Sequence, residues 1–180
     1  MNRLEKLNDY QALRELLMKF NELKFSLDEK FKNELNRSLP FADTLFDRWD
    51  RANFLGFGKG SSIYDSAYVF GDVHVGENTW IGPFTILDGT GGLSIGSNCS
   101  ISAGVQIYSH DSVNWAITGG KSNYEYQPTC IGNNCYIAPN CIISKGVTIG
   151  DKCIIGANSF VNKSFPEGSK LAGNPAKIIS

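Results

Sequence analysis

Histidine is the side chain whose unperturbed charge change falls near neutral pH, and this chain has two, His74 and His110. His110 lies in "YSHD", just where an otherwise regular sequence is interrupted, and the interruption carries Trp115, Tyr124 and Tyr126. A base of this kind can take the proton of a nucleophile as it attacks. It must be held rigidly, with donors for the developing oxyanion and both reactants brought together. Asp111 follows His110 directly, and adjacent side chains seldom meet, so a backbone carbonyl is as good an orienting partner for the imidazole. His74, in "GDVHVG", precedes an aliphatic position and reads as an outward or corner histidine at the surface. The five cysteines, an odd number for a disulfide framework, match no zinc template in their spacing.

The element that positions His110 is an internal repeat. Aliphatic residues fall at 63, 69, 75, 81 and 87, at 95, 101 and 107, and again at 131, 137, 143, 149, 155 and 161. The step inside each block is six, and the jump from 87 to 95 gives "LDGTGGLS" two extra residues. Four positions after the aliphatic stands a residue that is almost always small: Ala67, Val73, Thr79, Thr85, Gly91, Cys99, Val105, Cys135, Cys141, Val147, Cys153, Ser159. Such a period predicts short strands joined by tight corners and stacked into a solenoid, with Gly or Asn at the corners. Four of the five cysteines occupy the small inward site, where Cys packs as a compact hydrophobe. The stretch from about 112 to 130 is then a loop thrown out of the solenoid, and a loop of that length is usually functional or disordered. Its aromatic rings suit a substrate-cleft wall or an anchor for the loop.

Residues 1–58 have another texture and predict helices. Leu4, Leu7, Leu13, Leu16, Leu17, Phe20 and Leu23 recur at helical steps. Ser26 and Glu29 form a capping-box pattern ahead of Leu27, Phe31 and Leu35, and "DTLFDRWDRANF" follows Pro40 as a third helical candidate. A net charge of −1 with dispersed Lys and Arg gives no electrostatic reason for a nucleic-acid or membrane partner. The N-terminus has no apolar core of a signal peptide, and no stretch reaches the roughly 20 apolar residues of a membrane span, so the expected location is the cytoplasm.

The repeat from Ile63 to Val161, with the closing "FPEGSKLAGNPAKII", resembles the hexapeptide-repeat acyltransferases, and within them the sugar and xenobiotic O-acetyltransferases related to galactoside and maltose acetyltransferases. The likeness covers roughly two-thirds of the chain. It implies a mainly β fold, a left-handed parallel β-helix over 59–180 behind the helical region. It also implies a homotrimer with sites between neighbouring prisms, acetyl-CoA as donor with no metal, and His110 as the base. The acceptor would be a sugar or nucleotide sugar, as in polysaccharide modification, and the resemblance sets Asp88 against the acceptor's hydroxyls; Trp115 and Tyr126, by their aromatic character, are the loop rings expected on the acceptor side. Asp88 in an Asp-Gly turn has a purely local reading as well. Pro83 and Phe84 stand where those relatives often have Asn, a departure that bears on the acceptor. For acetyl-CoA the resemblance points to Pro139 (often Ser in the family), Ala157, Asn162, Lys163 and Lys177.

Four other readings compete with it. An amino-sugar nucleotide N-acetyltransferase would use the same fold and base. A zinc carbonic anhydrase on this fold needs three histidines per metal, and serine acetyltransferase has a larger helical domain. A non-enzymatic β-helix serving in assembly would leave the histidine and aromatic loop at one break without a purpose.

Overall fold

The computed structural model describes residues 10–179; Leu4 and Leu7 of the expected helical stripe lie outside them. The chain divides into two units, one ending at Asp47 and one beginning at Arg48, so the boundary falls earlier than the change of texture near residue 58. In the first unit, α1 (Gln11–Leu35) carries the stripe from Leu13 to Leu35 as one helix. The capping-box pattern at Ser26 and Glu29 starts no new helix. The backbone continues through it, and Lys24 pairs with Asp28 one turn on, the kind of i,i+4 pair that favours an uninterrupted helix. α1 ends at Asn36, whose left-handed backbone (φ 51°) lets its amide bond back to Lys32 and Phe31. After Pro40, α2 (Phe41–Leu45) packs the Phe41 ring edge-on against Phe20. No helix among the described residues is long and apolar enough to cross a membrane.

The expected third helix is split. Phe46 is extended and ends α2, and α3 (Arg48–Phe54) opens the second unit. Ala52 is buried in the core there, and Arg51 donates to the carbonyls of Tyr64 and Ala67 at the first corner of the solenoid. These bonds tie α3 to the first coil, which is why the unit begins at Arg48.

From Ser62 the chain winds through three columns of parallel strands. One column stacks Ser62–Ile63, Trp80–Ile81, Ser100–Ile101, Tyr136–Ile137 and Ile154–Ile155. A second stacks Tyr68, Ile86, Gln106, Ile142 and Phe160, and a third His74, Ser94, Cys130 and Thr148. Partners in regular coils are 18 residues apart, three hexads (Tyr136↔Ile154, Ile142↔Phe160). Across "LDGTGGLS" the offset becomes 20 (Trp80↔Ser100), and across the loop after His110 it becomes 36 (Ser100↔Tyr136). The loop therefore has the length of one whole extruded coil.

The repeated aliphatics Ile63, Ile81, Ile101, Ile107, Ile137, Ile143, Ile155 and Val161 are wholly buried. Cys99, Cys135, Cys141 and Cys153 are buried and free beside them, and burial pushes the Cys141 thiol up. Corners at Asn78, Asn98, Asn134, Asn140 and Asn158 take left-handed backbone with φ between 52° and 59°, where Asn is well tolerated. Phe84 adopts the same conformation (φ 58°) without that advantage.

Candidate active site

The insertion in "LDGTGGLS" builds the floor of the site. Asp88 lies in the long strand Ile86–Ile95, which runs around a corner where a regular coil would turn. Because Leu87 pairs with Ile107 across the 20-residue coil, Asp88 falls beneath the segment Tyr108–His110. Gly91 is needed there, since a Cβ on it would come within 2.3 Å of the Ser109 carbonyl oxygen. Its amide donates instead to the Ser109 hydroxyl at 2.7 Å.

Asp88 is only 2% exposed, and its oxygens face four donors. Oδ1 accepts from the Thr90 amide at 3.0 Å and from the Thr90 hydroxyl. Oδ2 accepts from the Ser109 amide at 3.1 Å and lies 2.5 Å from His110 Nδ1. Burial alone would raise this carboxyl, but the bonds from Thr90, Ser109 and His110 outweigh it and hold it below its ordinary value. An ionised Asp88 places the proton of a neutral imidazole on Nδ1 and leaves the Nε2 lone pair free. Nε2 has no hydrogen-bond partner among the described residues, and the ring is one-third exposed. The resemblance set Asp88 toward an acceptor; the structure instead sets it behind the imidazole, with its lone pairs already taken. Asp111 points elsewhere, to Lys145 and the Val113 amide.

The loop beyond His110 has structure of its own. His110–Asp111 pairs antiparallel with Glu125–Tyr126, so that Tyr126 stands opposite His110. Their rings stack with centroids 5.9 Å apart and planes 21° apart, and Tyr124 lies 6.4 Å away on a tilted plane. A short helix, α4 (Val113–Ile117), presents Trp115 edge-on to Tyr124 at 5.7 Å. Two concavities result. A groove of about 400 Å³ is lined by Tyr108, His110, Ile142, Ser144, Lys145 and Phe160. A cavity of about 520 Å³ is lined by Trp115, Asn123, Tyr124 and Tyr126.

The structure thus gathers His110, Asp88, Trp115 and Tyr126. It leaves the five residues expected at the donor outside the lining of the His110 groove. Pro139 and Ala157 are exposed on one corner, where the Asn158 amide bonds the Pro139 carbonyl at 3.0 Å. Asn162 is exposed after Val161, Lys163 extends over the Phe165 ring, and Lys177 is exposed on a terminal antiparallel strand. His74 is a surface residue paired with Asp72 at 3.1 Å. Tyr108, Ser144, Lys145 and Phe160 went unremarked in the sequence; coil arithmetic could have found them, since 108 and 144 are two coils apart through the loop and Phe160 pairs with Ile142.

Residues 72–109 match the hexapeptide repeat of succinyl-transferase, and 129–163 match the bacterial transferase hexapeptide (six repeats). A candidate acetyltransferase of Dictyostelium discoideum is 41% identical over 111 residues, covering 60% of this chain and 57% of that protein. The chain spans about half the length of the curated relatives it matches. Among solved structures, a galactoside acetyltransferase in complex with coenzyme A superposes with a TM-score of 0.66 at 25% identity, over 87% of this chain and 78% of that one. An N-acyltransferase from Bacillus cereus, in complex with dTDP and coenzyme A, shares the fold at 20% identity and TM-score 0.61, over 73% and 87% of the two chains. The solenoid is a left-handed parallel β-helix of hexapeptide repeats, a fold it shares with the galactoside acetyltransferase, and the chain is similar to the hexapeptide-repeat acyltransferases over those repeats.

Proposed function

We propose that this protein transfers the acetyl group of acetyl-CoA directly to a hydroxyl of a sugar or glycan precursor, as a cytoplasmic homotrimer, with His110 as general base. The observation that carries the reading is the buried Asp88 carboxylate on Nδ1 of His110, with Nε2 left open at the mouth of a groove. In this reading the acceptor oxygen attacks the thioester carbonyl while its proton passes to Nε2. The C–S bond then breaks, and the proton on Nε2 goes to the departing thiolate. Asp88 stays ionised throughout and stabilises the imidazolium that forms between the two transfers. No separate nucleophile is required, so no acyl-enzyme is invoked.

The groove along Ile142 and Phe160 gives the donor an apolar wall, and the exposed Lys163 and Lys177 offer cations to its phosphates. The cavity of Trp115, Tyr124 and Tyr126 gives the acceptor aromatic faces, with the Asn123 side chain beside them. Because the Bacillus cereus neighbour is an N-acyltransferase, an amino sugar carried on a nucleotide is the second reading. Acetyl-CoA turnover against sugars, amino-sugar nucleotides and serine separates the two. Acetylation of hydroxyl acceptors is the expected result, and turnover with amines alone overturns it.

A further inference from the structure

Outside the His110–Asp88 pair, one cluster of charges ties the loop to the solenoid. The paired strands His110–Asp111 and Glu125–Tyr126 present two cross-strand pairs: His110 opposite Tyr126, and Asp111 opposite Glu125. Successive residues of a strand face opposite ways. The ring pair therefore occupies one face of this short ribbon and the carboxylate pair the other. Two carboxylates directly opposite one another repel and would splay the strands. Lys145 lies between them, 3.0 Å from Asp111 Oδ2 and also in contact with Glu125 Oε2. The same Glu125 accepts from the Asn114 side chain in α4, so the helix bearing Trp115 is joined to the cluster.

Lys145 stands on rigid ground. It occupies the corner between Ile142–Ile143 and Thr148–Ile149, and its side chain is 13% exposed. Next to it, the Gly146 amide meets the Gln127 carbonyl at 3.2 Å and the Thr129 hydroxyl at 3.1 Å, where the loop rejoins the coils. The Gln127 amide in turn bonds the Ser109 carbonyl at 2.8 Å. Both ends of the loop thus close onto the corner that carries Lys145.

We propose that Lys145 is a positioning residue: it neutralises and gathers Asp111 and Glu125 beneath the ribbon, and so holds Tyr126 stacked on His110 and the aromatic cavity closed against the groove. The part concerning catalysis rests on the acetyl-transfer reading above; the part concerning the ribbon does not. An ammonium on a flexible stem suits the task, because it can meet two carboxylates on different strands at once.

The test compares Lys145→Met, which keeps the stem and removes the charge, with Lys145→Arg. Amide hydrogen exchange is followed over 110–126 and over the coils at 136–161. Lys145→Met is expected to speed exchange in 110–126 about fivefold and leave the coils unchanged, with Lys145→Arg near the parent. In turnover, the same Lys145→Met variant raises KM for the acceptor more than KM for acetyl-CoA. Unchanged exchange in 110–126 overturns the proposal. So does a rise in KM confined to acetyl-CoA, which would make Lys145 a donor contact instead. If the parent protein turns over no acceptor while the exchange result holds, acetyl transfer fails and the Lys145 clamp stands.

Discussion

The Asp88 carboxylate sits 2.5 Å from Nδ1 of His110, 22 residues along the chain and one coil below it. A two-residue insertion makes the meeting possible. In a regular coil Asp88 would lie under residue 106; with the lengthened coil it lies under 108 and reaches the imidazole two residues on. The carboxylate also bonds backbone and side-chain donors from Thr90 and Ser109, so it cannot swing away to follow a substrate. The histidine thereby inherits the rigidity of the β-helix core although it stands at the root of a loop.

Removing either member of the pair should be costly, and removing both should cost little more. His110→Ala is expected to lower kcat about 10²–10⁴-fold, the usual worth of a general base. Asp88→Asn leaves an amide where the carboxylate accepted the hydrogen bond from Nδ1–H, and at least about a tenfold loss follows from the disturbed tautomer. The double variant should match His110→Ala, since residues acting as a unit are not additive. Steady-state kinetics on the three variants, with His74→Ala as a surface control, decides this. Additive losses in the double variant would show that Asp88 acts independently of His110.

Asp88 also links stability to pH. Its folded carboxyl lies below the ordinary value, so the fold favours the ionised form. A group depressed in this way stabilises the protein above its unfolded pKa, about 3.9. That contribution disappears as pH falls from there through the lower folded value. The midpoint of thermal unfolding, followed between pH 7 and pH 3, should fall more steeply for the parent chain than for Asp88→Asn. The variant starts lower, by about 1–3 kcal/mol at neutral pH, because buried donors of Thr90 and Ser109 lose their partner. Parallel curves for the two proteins would contradict the assignment.

The scaffold was legible in the sequence because one residue in six repeats a physical demand. Ile137, Ile143 and Ile155 all point into a core only one aliphatic side chain deep per face, and Cys135, Cys141 and Cys153 fill the narrow site beside them. Of the candidate site, His110 and the loop rings Trp115 and Tyr126 were legible, and Asp88 was legible only in another role. The partnership with Asp88 depends on a coil of 20 residues rather than 18, and "LDGTGGLS" carries that information only once its two extra residues are turned into a register. Helix boundaries were harder for a different reason. The signal at Ser26 is local, whereas the continuity of α1 depends on strong helix formers on both sides of it. The short helix Val113–Ile117 and the ribbon opposite His110 follow from contacts inside the loop, and these leave no periodic trace.

Thiol chemistry checks the core directly. Cys99, Cys135, Cys141 and Cys153 are buried, and only Cys130, on the third strand column, is half-exposed. The thiolate is the reactive form, and reagents must reach it. A colorimetric thiol reagent should modify one cysteine readily in the native protein and all five after denaturation. Cys130→Ser should abolish the fast phase. A native protein that reacts at several sites would place the small inward positions elsewhere than in a packed core.

Substitution of Tyr126 tests whether the proposed acceptor cavity is distinct from the proposed base. Its ring stacks on His110 and lines the aromatic cavity, while the groove on the other side of His110 is lined by Tyr108, Ile142, Ser144 and Phe160. Tyr126→Ala should raise KM for the acceptor about tenfold, the scale of one lost aromatic contact, with KM for acetyl-CoA close to the parent value. Tyr126→Phe keeps the stack and should keep most of the activity. An effect on the donor alone would exchange the roles of the two concavities.

Phe84 offers a prediction about the scaffold that no chemistry enters. It takes φ 58° at a corner where most of the coils use Asn or Gly and one uses Lys152, and the residue is 62% exposed. A left-handed conformation costs an ordinary residue about 1–2 kcal/mol, and a bulky side chain gains nothing locally to offset it. Asn bonds its own backbone in this conformation and tolerates it well. Phe84→Asn should therefore stabilise the protein by about 1 kcal/mol, visible as a rise of about 2–4 °C in Tm for a chain of this size. Little packing is lost, because the ring meets solvent over most of its surface. A fall in Tm that grows with protein concentration in the parent would carry the opposite meaning: the Phe84 ring would then be covered by another copy of the chain, and the strained corner kept for that contact.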